Sequence, residues 1–228
     1  MRPQHTSQEF EGELRQLKDR LLAMGGRCEA LIQRAIFALE NADARIAQEV
    51  EATDRHIDVD EMDVDELAIR ILALRQPVGR DLRFLVTALK VVTDLERIGD
   101  EAVNIAERAS ELAERRDHLP ESHAALPAMA RASSQMLRDA LDAFVEEDAD
   151  KAQRVLLADD DIDEQYGKIL RRTLQEMAAA PARIRSAMSV ASCAKYLERI
   201  ADHATNIAEM VVYLARGEDV RHRTSRRT

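Results

Sequence analysis

Glu96 and Asp100 stand four residues apart in "LERIGDEAVNIAE", and Glu198 and Asp202 stand four apart in "LERIADHATNIAE". Upstream, "DRHID" carries Asp54 and Asp58 and "DDDID" carries Asp159 and Asp163, again at a spacing of four. On a helix, side chains at i and i+4 sit one turn apart on one face, separated by about 6 Å. Pairs of carboxylates at that step, on two neighbouring helices, offer oxygen ligands with room for one or more hard cations. Left to themselves, clustered carboxylates repel one another and their pKa values rise. Ion pairs are the other way to relieve the repulsion, and Arg97, Arg199 and Lys195 are close enough in sequence to provide them. On the residues alone, both readings stand.

Other chemistry has little to work with. The chain has no Glu-x-x-His of the di-iron bundles, no Gly-rich phosphate loop and no Gly-x-Ser-x-Gly elbow. His203 follows Asp202, but its counterpart in the first copy of the motif is Glu101, so it reads as a surface histidine. Cys28 and Cys193 fall within apolar helical pattern without metal-ligand spacing and read as reduced core residues. No catalytic residue is assigned, and a non-enzyme is expected.

The carboxylates belong to a repeat that covers most of the chain. Residues 24–58 align without gaps on 129–163, matching Met24 with Met129, Asp54 with Asp159, Ile57 with Ile162 and Asp58 with Asp163. Past the first internal turn the offset shortens by three, and Arg83, Glu96, Asp100 and Asn104 fall on Arg185, Glu198, Asp202 and Asn206. One departure is Gly99, replaced by Ala201, an exchange that a helix tolerates and prefers on propensity.

Each half holds three long periodic segments. They run from about 8 to 40, 44 to 75 and 79 to 115, then 121 to 146, 149 to 178 and 182 to 215, broken by "ENAD", "RQPVG", "EEDAD" and "AAAPA". Short connections between long helices make neighbours antiparallel. The expected fold is all-α, a tandem repeat of two antiparallel three-helix bundles with six helices. The first bundle is placed at 1–117, the second at 118–217 after a boundary near "RRDHLPESH", and a basic tail at 218–228.

In each third helix a core strip repeats at steps of four and three: Phe84, Ala88, Val91, Leu95, Ile98 and onward, then Ser186, Val190, Cys193, Leu197, Ile200 and onward. Glu96, Asp100 and Asn104 point away from that strip, outward. The turn at Pro77 then sets the heights. Asp58 and Glu96 are equidistant from it, as are Asp54 and Asp100, and the second set is level about Ala180 and Pro181. Four carboxylates therefore share one region in each bundle.

Composition agrees with a helical chain. Gly is 7 and Pro is 5 of 228 residues, aromatics are 3% and Trp is absent. The formal net charge of −10 with mixed signs disfavours nucleic-acid binding. No apolar run approaches the roughly 20 residues that span a bilayer and no secretory signal is evident, so a cytoplasmic chain is expected.

The two Glu/Asp-x-x-x-Asp motifs, the "DRHID" and "DDDID" before them and "RQPVGRDLR" at 75–83 resemble the PhoU family, over nearly the whole chain. The resemblance implies tandem bundles with multinuclear divalent or trivalent metal clusters of Fe, Zn, Mn or Mg. Their ligands would be Asp54, Asp58, Glu96 and Asp100, then Asp159, Asp163, Glu198 and Asp202. It implies a cytoplasmic negative regulator of the phosphate regulon that links the ATP-binding subunit of a phosphate ABC transporter to a sensor histidine kinase. Association with membrane complexes would be peripheral, and such proteins often form homodimers. The second half has "AAAPARIR" where the first has "RQPVGRDLR", so any role of Arg75, Gln76, Asp81 or Arg83 belongs to the first bundle only; they either dock a partner or terminate and cap helices. A metal-dependent phosphate-processing enzyme and a metal-storage or structural bundle are the alternative functions.

Overall fold

The computed structural model describes residues 4–115 and 120–217. The expected boundary between bundles at 117 and 118 and the basic tail at 218–228 lie outside the described residues.

Among the described residues six α-helices carry the fold: α1 Gln4–Asn41, α2 Ala44–Arg75, α3 Arg80–Arg115, α4 Leu126–Glu146, α5 Ala149–Ala179 and α6 Ile184–Arg216. Two short 3-10 turns, Glu121–Ala125 and Pro181–Arg183, lead into α4 and α6. The segment expected to begin the fourth helix at 121 is therefore a 3-10 turn for its first five residues. Pro127 explains the difference: its ring has no N–H to donate and clashes with the carbonyl four residues back, so it starts an α-helix rather than continuing one.

The repeat is visible in the turns. Between α1 and α2, Ala42 takes a left-handed φ of 49° and Asp43 N–H reaches back to Ala38 O at 3.0 Å. Between α4 and α5, Glu147 takes a φ of 53° and Asp148 N–H reaches Ala143 O at 3.0 Å. Both are Schellman closures. Each is followed at once by an aspartate cap: Asp43 accepts from the N–H groups of Arg45 and Ile46, and Asp148 from those of Asp150 and Lys151.

The helices form two layers. α2, α3, α6 and α5 lie side by side in that order, and α1 and α4 cover one face of the row. α3 and α6 are antiparallel at the centre, where Arg199 Nη1 donates to Glu101 Oε1 at 3.2 Å and Asn206 Nδ2 donates to Asp94 Oδ1 at 3.1 Å. The expected core strips of α3 and α6 are buried along their whole length, and one continuous hydrophobic core runs through both bundles. The two repeats are thus halves of one packed body, related by an approximate two-fold axis between α3 and α6. Matching hydrogen bonds mark the symmetry: Cys28 Sγ donates to Leu95 O at 3.3 Å, and Ser133 Oγ donates to Leu197 O at 3.0 Å. Cys28 and Cys193 are free and buried, and burial pushes the Cys193 thiol up to about 12, which leaves it unreactive. No described helix is long and apolar enough to cross a membrane.

Candidate metal centres

The groove between α2 and α3 gathers Asp54, Asp58, Glu96 and Asp100. Burial, followed by repulsion from Asp58 and Asp100, raises the Asp54 carboxyl to about 6. Glu96 is raised for the same reasons, burial first, then Asp100, with Arg97 opposing. Between α5 and α6 the pattern repeats. Burial raises Asp159 to about 6, assisted by Asp202, Asp163, Asp160 and Glu198. Asp202 is raised by burial and by Glu198, with Lys195 opposing. All eight residues proposed from sequence therefore fall in two groups of four, each group close enough for its members to feel one another's charge.

Asp58, Asp163 and Asp202 are exposed, as an outer face requires, whereas Glu96 and Glu198 are largely covered. The Glu96 side chain is 18% exposed and that of Glu198 13%, because each lies against the neighbouring helix of its groove. Asp54 comes so close to α3 that a Cβ on Gly99 would stand 2.9 Å from its Oδ1 and 3.0 Å from Ile57 Cδ1. The exchange of Gly99 for alanine, read from sequence as favourable, is tight in the first bundle. Helix propensity did not register the helix packed alongside.

Cationic side chains occupy part of each cluster. Arg97 pairs with Glu96 at 3.2 Å and with Asp100 at 3.1 Å. Lys195 pairs with Glu198 and holds its ammonium 5.4 Å from the ring centre of Tyr166. Arg199, the third candidate, turns instead to Glu101 across the centre of the molecule. His203 is also drawn to that centre, with Nδ1 2.9 Å from Asp94 Oδ1; it is half-buried between the bundles rather than a surface residue.

Glu61 belongs to the first cluster and was missed in the sequence reading. Burial raises its pKa, with Asp65, Asp58 and Asp100 adding to the shift. The signal was available: Glu61 follows Asp58 by three residues, on the same face of α2. Its counterpart in the repeat is Tyr166, which explains why a repeat-based search passed over it.

The donor set suits a hard cation: it is all carboxylate oxygen, Asp54, Glu96, Asp159 and Asp202 are pushed up by burial and then by their neighbours' charge, and buried Glu96 Oε2 has the Arg97 contact at 3.2 Å but no hydrogen bond. In their described rotamers, no three of these side chains form a ready-made coordinating group. Arg97 and Lys195 hold carboxylates that a cation would need, so binding requires side-chain rotation within each groove.

The turn that carries "RQPVGRDLR" joins α2 to α3. Arg75 donates from Nε and Nη2 to both oxygens of Glu13, at 2.9 and 3.0 Å, and holds the Glu13 carboxyl below its usual value. Gln76 closes α2 in the left-handed conformation, with its N–H to Leu72 O, and Asp81 sits in the first turn of α3. Arg83 is half-buried with its Nε unpaired.

The profile of the PhoU domain matches residues 21–109 and 126–211, one match per repeat. A relative from Pseudomonas putida, described as a phosphate-specific transport system accessory protein PhoU homolog, is 44% identical over 218 residues, covering 96% of this chain and 85% of its own. The phosphate-specific transport system accessory protein PhoU of Escherichia coli K12 is 36% identical, covering 96% and 90%. The crystal structure of PhoU from Pseudomonas aeruginosa superimposes with a TM-score of 0.87 at 41% identity, covering 92% of this chain and all of the other. That of the phosphate transport system regulatory protein PhoU from Streptococcus pneumoniae gives 0.85 at 31% identity, covering 92% and 99%. With both repeats matched and the duplicated carboxylates in place, the chain belongs to the PhoU family.

Proposed function

We propose that this chain is a non-enzymatic accessory protein of phosphate uptake that works in the cytoplasm. It links the ATP-binding subunit of a phosphate ABC transporter to a sensor histidine kinase and keeps the starvation response off while phosphate is plentiful. The observation that carries the reading is the matched pair of four-carboxylate grooves in a chain whose relatives are described as accessory to phosphate transport. Catalysis would need a nucleophile, acid or base beyond the ligands themselves, and the grooves offer carboxylates already in demand for charge balance.

Asp54, Asp58, Glu96 and Asp100 would hold metal between α2 and α3; Asp159, Asp163, Glu198 and Asp202 would hold it between α5 and α6. A bound hard cation supplies charge neutralisation there. The chain's own part is to release Glu96 and Asp100 from Arg97, and Glu198 from Lys195, and to clamp adjacent helices through side chains on both. That clamping would fix the surface offered to partners. The family supports a homodimer and metals of the Fe, Zn, Mn or Mg type.

The test is the activity of a phosphate-starvation promoter in phosphate-rich medium, with and without the gene. Deletion is expected to switch the promoter on. A promoter that stays silent after deletion would remove the regulatory role from this chain.

A further inference from the structure

α1 and α4 pack antiparallel over the row of the other four helices, with Lys18 Nζ donating to Val145 O at 3.4 Å and Arg138 Nη2 to Glu29 Oε2 at 2.6 Å. The repeat sets Gly25 against Ala130 and Ile36 against Leu141, so one kind of contact between these helices is made twice with different residues. At one end Gly25 meets Leu141 so closely that a Cβ would stand 2.1 Å from Leu141 Cδ1. At the other end Ala130 already carries that methyl group, and beside it and Ile36 lies a hollow of about 410 Å³. That is within the size range of small-ligand pockets.

The floor of the hollow is apolar except at one atom. Ile36 and Ala130 are 4% and 5% exposed, and Ser134, also 4% exposed, has a buried hydroxyl with no hydrogen-bond partner. A serine inside a helix can return its hydroxyl to the carbonyl four residues back, as Ser133 does to Met129 O at 3.1 Å. Ser134 does not. A buried hydroxyl left unpaired is costly, and this one borders a space where a ligand atom could pair with it.

The walls sort their polar groups by kind. Level with Ser134 stand Gln33 on α1 and Arg138 on the next turn of α4, and Arg131 stands one turn the other way. Among the described residues Arg131 and Gln33 have no hydrogen-bond or ion-pair partner, and Arg138 is held in place by Glu29. This end is rich in donors, two of them cationic, and suits an anion. Phe37, 52% exposed, adds a ring face beside Pro127. Glu40 lies seven residues beyond Gln33, about 10 Å along α1, and has no partner among the described residues. That end offers a carboxylate, which suits N–H donors.

We infer that the hollow binds a nucleoside monophosphate, with its phosphate at Arg131 and the Ser134 hydroxyl and its base on Phe37, the N–H groups of the base turned to Glu40. A molecule of that class has an anion at one end, a flat ring body, and donors at the other end. Inorganic phosphate would leave Phe37 and Glu40 unused, and a fatty acid would cover the Glu40 carboxylate with hydrocarbon. Guanine matches Glu40 best, because it offers two N–H groups side by side, one to each carboxylate oxygen. The site belongs to the layer of α1 and α4 and uses none of the eight acidic-groove carboxylates. It goes beyond the accessory role proposed above by giving the chain a small-molecule ligand.

The probe is guanosine monophosphate, titrated into the full chain by calorimetry with chelator present, so that no metal in the acidic grooves can hold the phosphate. It is expected to bind at one site per chain. Guanosine and ribose phosphate, which each lack one end, should bind at least about tenfold more weakly. Arg131→Met should weaken the monophosphate by about tenfold or more, and Glu40→Gln by about fivefold. Ser134→Ala should weaken it too while leaving the melting temperature at or above that of wild type, because the hydroxyl it removes is unpaired in the free protein. Far-UV circular dichroism confirms that the Arg131 and Glu40 variants, altered only at exposed positions, stay folded. No binding at about 1 mM nucleotide, wild-type affinity in Arg131→Met, or guanosine or ribose phosphate bound as tightly as the monophosphate overturns the inference. So does a Ser134→Ala protein that melts lower with unchanged affinity, since that is the mark of a serine with a structural role alone.

Discussion

Gly99 and Asp54 face each other across the α2 to α3 contact so closely that a methyl group at position 99 would stand 2.9 Å from the carboxylate oxygen. The other repeat places Ala201 at the equivalent position, fully buried against α5. The two grooves are therefore not identical in width where their ligands sit.

Substituting Gly99→Ala should improve helix propensity by about 1 kcal/mol. It should also force the Asp54 carboxylate and the Ile57 side chain to shift. The expected outcome is a melting temperature close to wild type with reduced metal at the first site and unchanged metal at the second. Metal analysis after dialysis, in a background where Glu198→Ala and Asp202→Ala silence the second site, reads the first site alone. Full metal content in that protein would show that the close approach is immaterial.

The raised carboxyls set a pH dependence. Asp54 and Asp159 are held near 6 in the folded protein, above the ordinary aspartate value of about 4. The folded state then binds protons more tightly than the unfolded one, so their contribution to stability is fully present below about pH 4 and is lost as pH rises through about 6. Metal-free protein should melt at a higher temperature at pH 5 than at pH 7 as far as these groups are concerned. Asp54→Asn with Asp159→Asn should flatten that part of the profile and raise the melting temperature at pH 7 without metal, while weakening metal binding. A variant less stable than wild type under chelation at neutral pH contradicts this account.

Much of this was legible in the sequence because helices write their geometry at a fixed period. The core strips from Phe84 and from Ser186 are buried as their spacing required, and the eight carboxylates fall in two groups because equal counting from a tight turn gives equal height. What escaped depends on contacts between elements that sequence spacing does not encode. His203 reads as a surface residue until α3 is packed on α6 and Asp94 comes to meet it. Arg199 and Arg97 hold the same place in the repeat, yet one crosses to Glu101 and the other stays with its own cluster. Glu61 was hidden because its repeat counterpart is an aromatic residue. The solvent exposure of Ile69 or Leu82 could not be read either, since an apolar residue in a helix is counted as core until the neighbours are in place.

The continuous core predicts cooperative unfolding of the two repeats. All three tyrosines, Tyr166, Tyr196 and Tyr213, belong to the second repeat, so the tyrosine band of the near-UV circular dichroism, to the red of the phenylalanine bands, reports on that half, while far-UV reports on every helix. Leu95 is fully buried in the first repeat, and Leu95→Ala should cost about 2 to 5 kcal/mol by leaving a cavity. The tyrosine signal and the helical signal should move to lower temperature together, by the same amount. A tyrosine transition that stays at its wild-type temperature would mean that the halves unfold separately.

The last prediction separates metal from ion pairing, the two ways of neutralising each cluster. Lys195 has no cationic counterpart in the first groove, where Thr93 holds its place, and it competes directly for Glu198. Lys195→Met keeps most of the apolar stem over Tyr166 and removes the charge. Without metal, the second cluster loses its closest cation and the protein should melt lower at pH 7, because Glu198 and Asp202 are left to repel. With a divalent ion present, the same carboxylates no longer have to be released from an ammonium, and the second site should bind more tightly than in wild type. The two effects have opposite signs on one residue, and thermal melts with chelator and with Mn or Zn measure both. If the clusters exist only to be paired by Arg97 and Lys195, the variant would be destabilised under both conditions, and added metal would restore nothing.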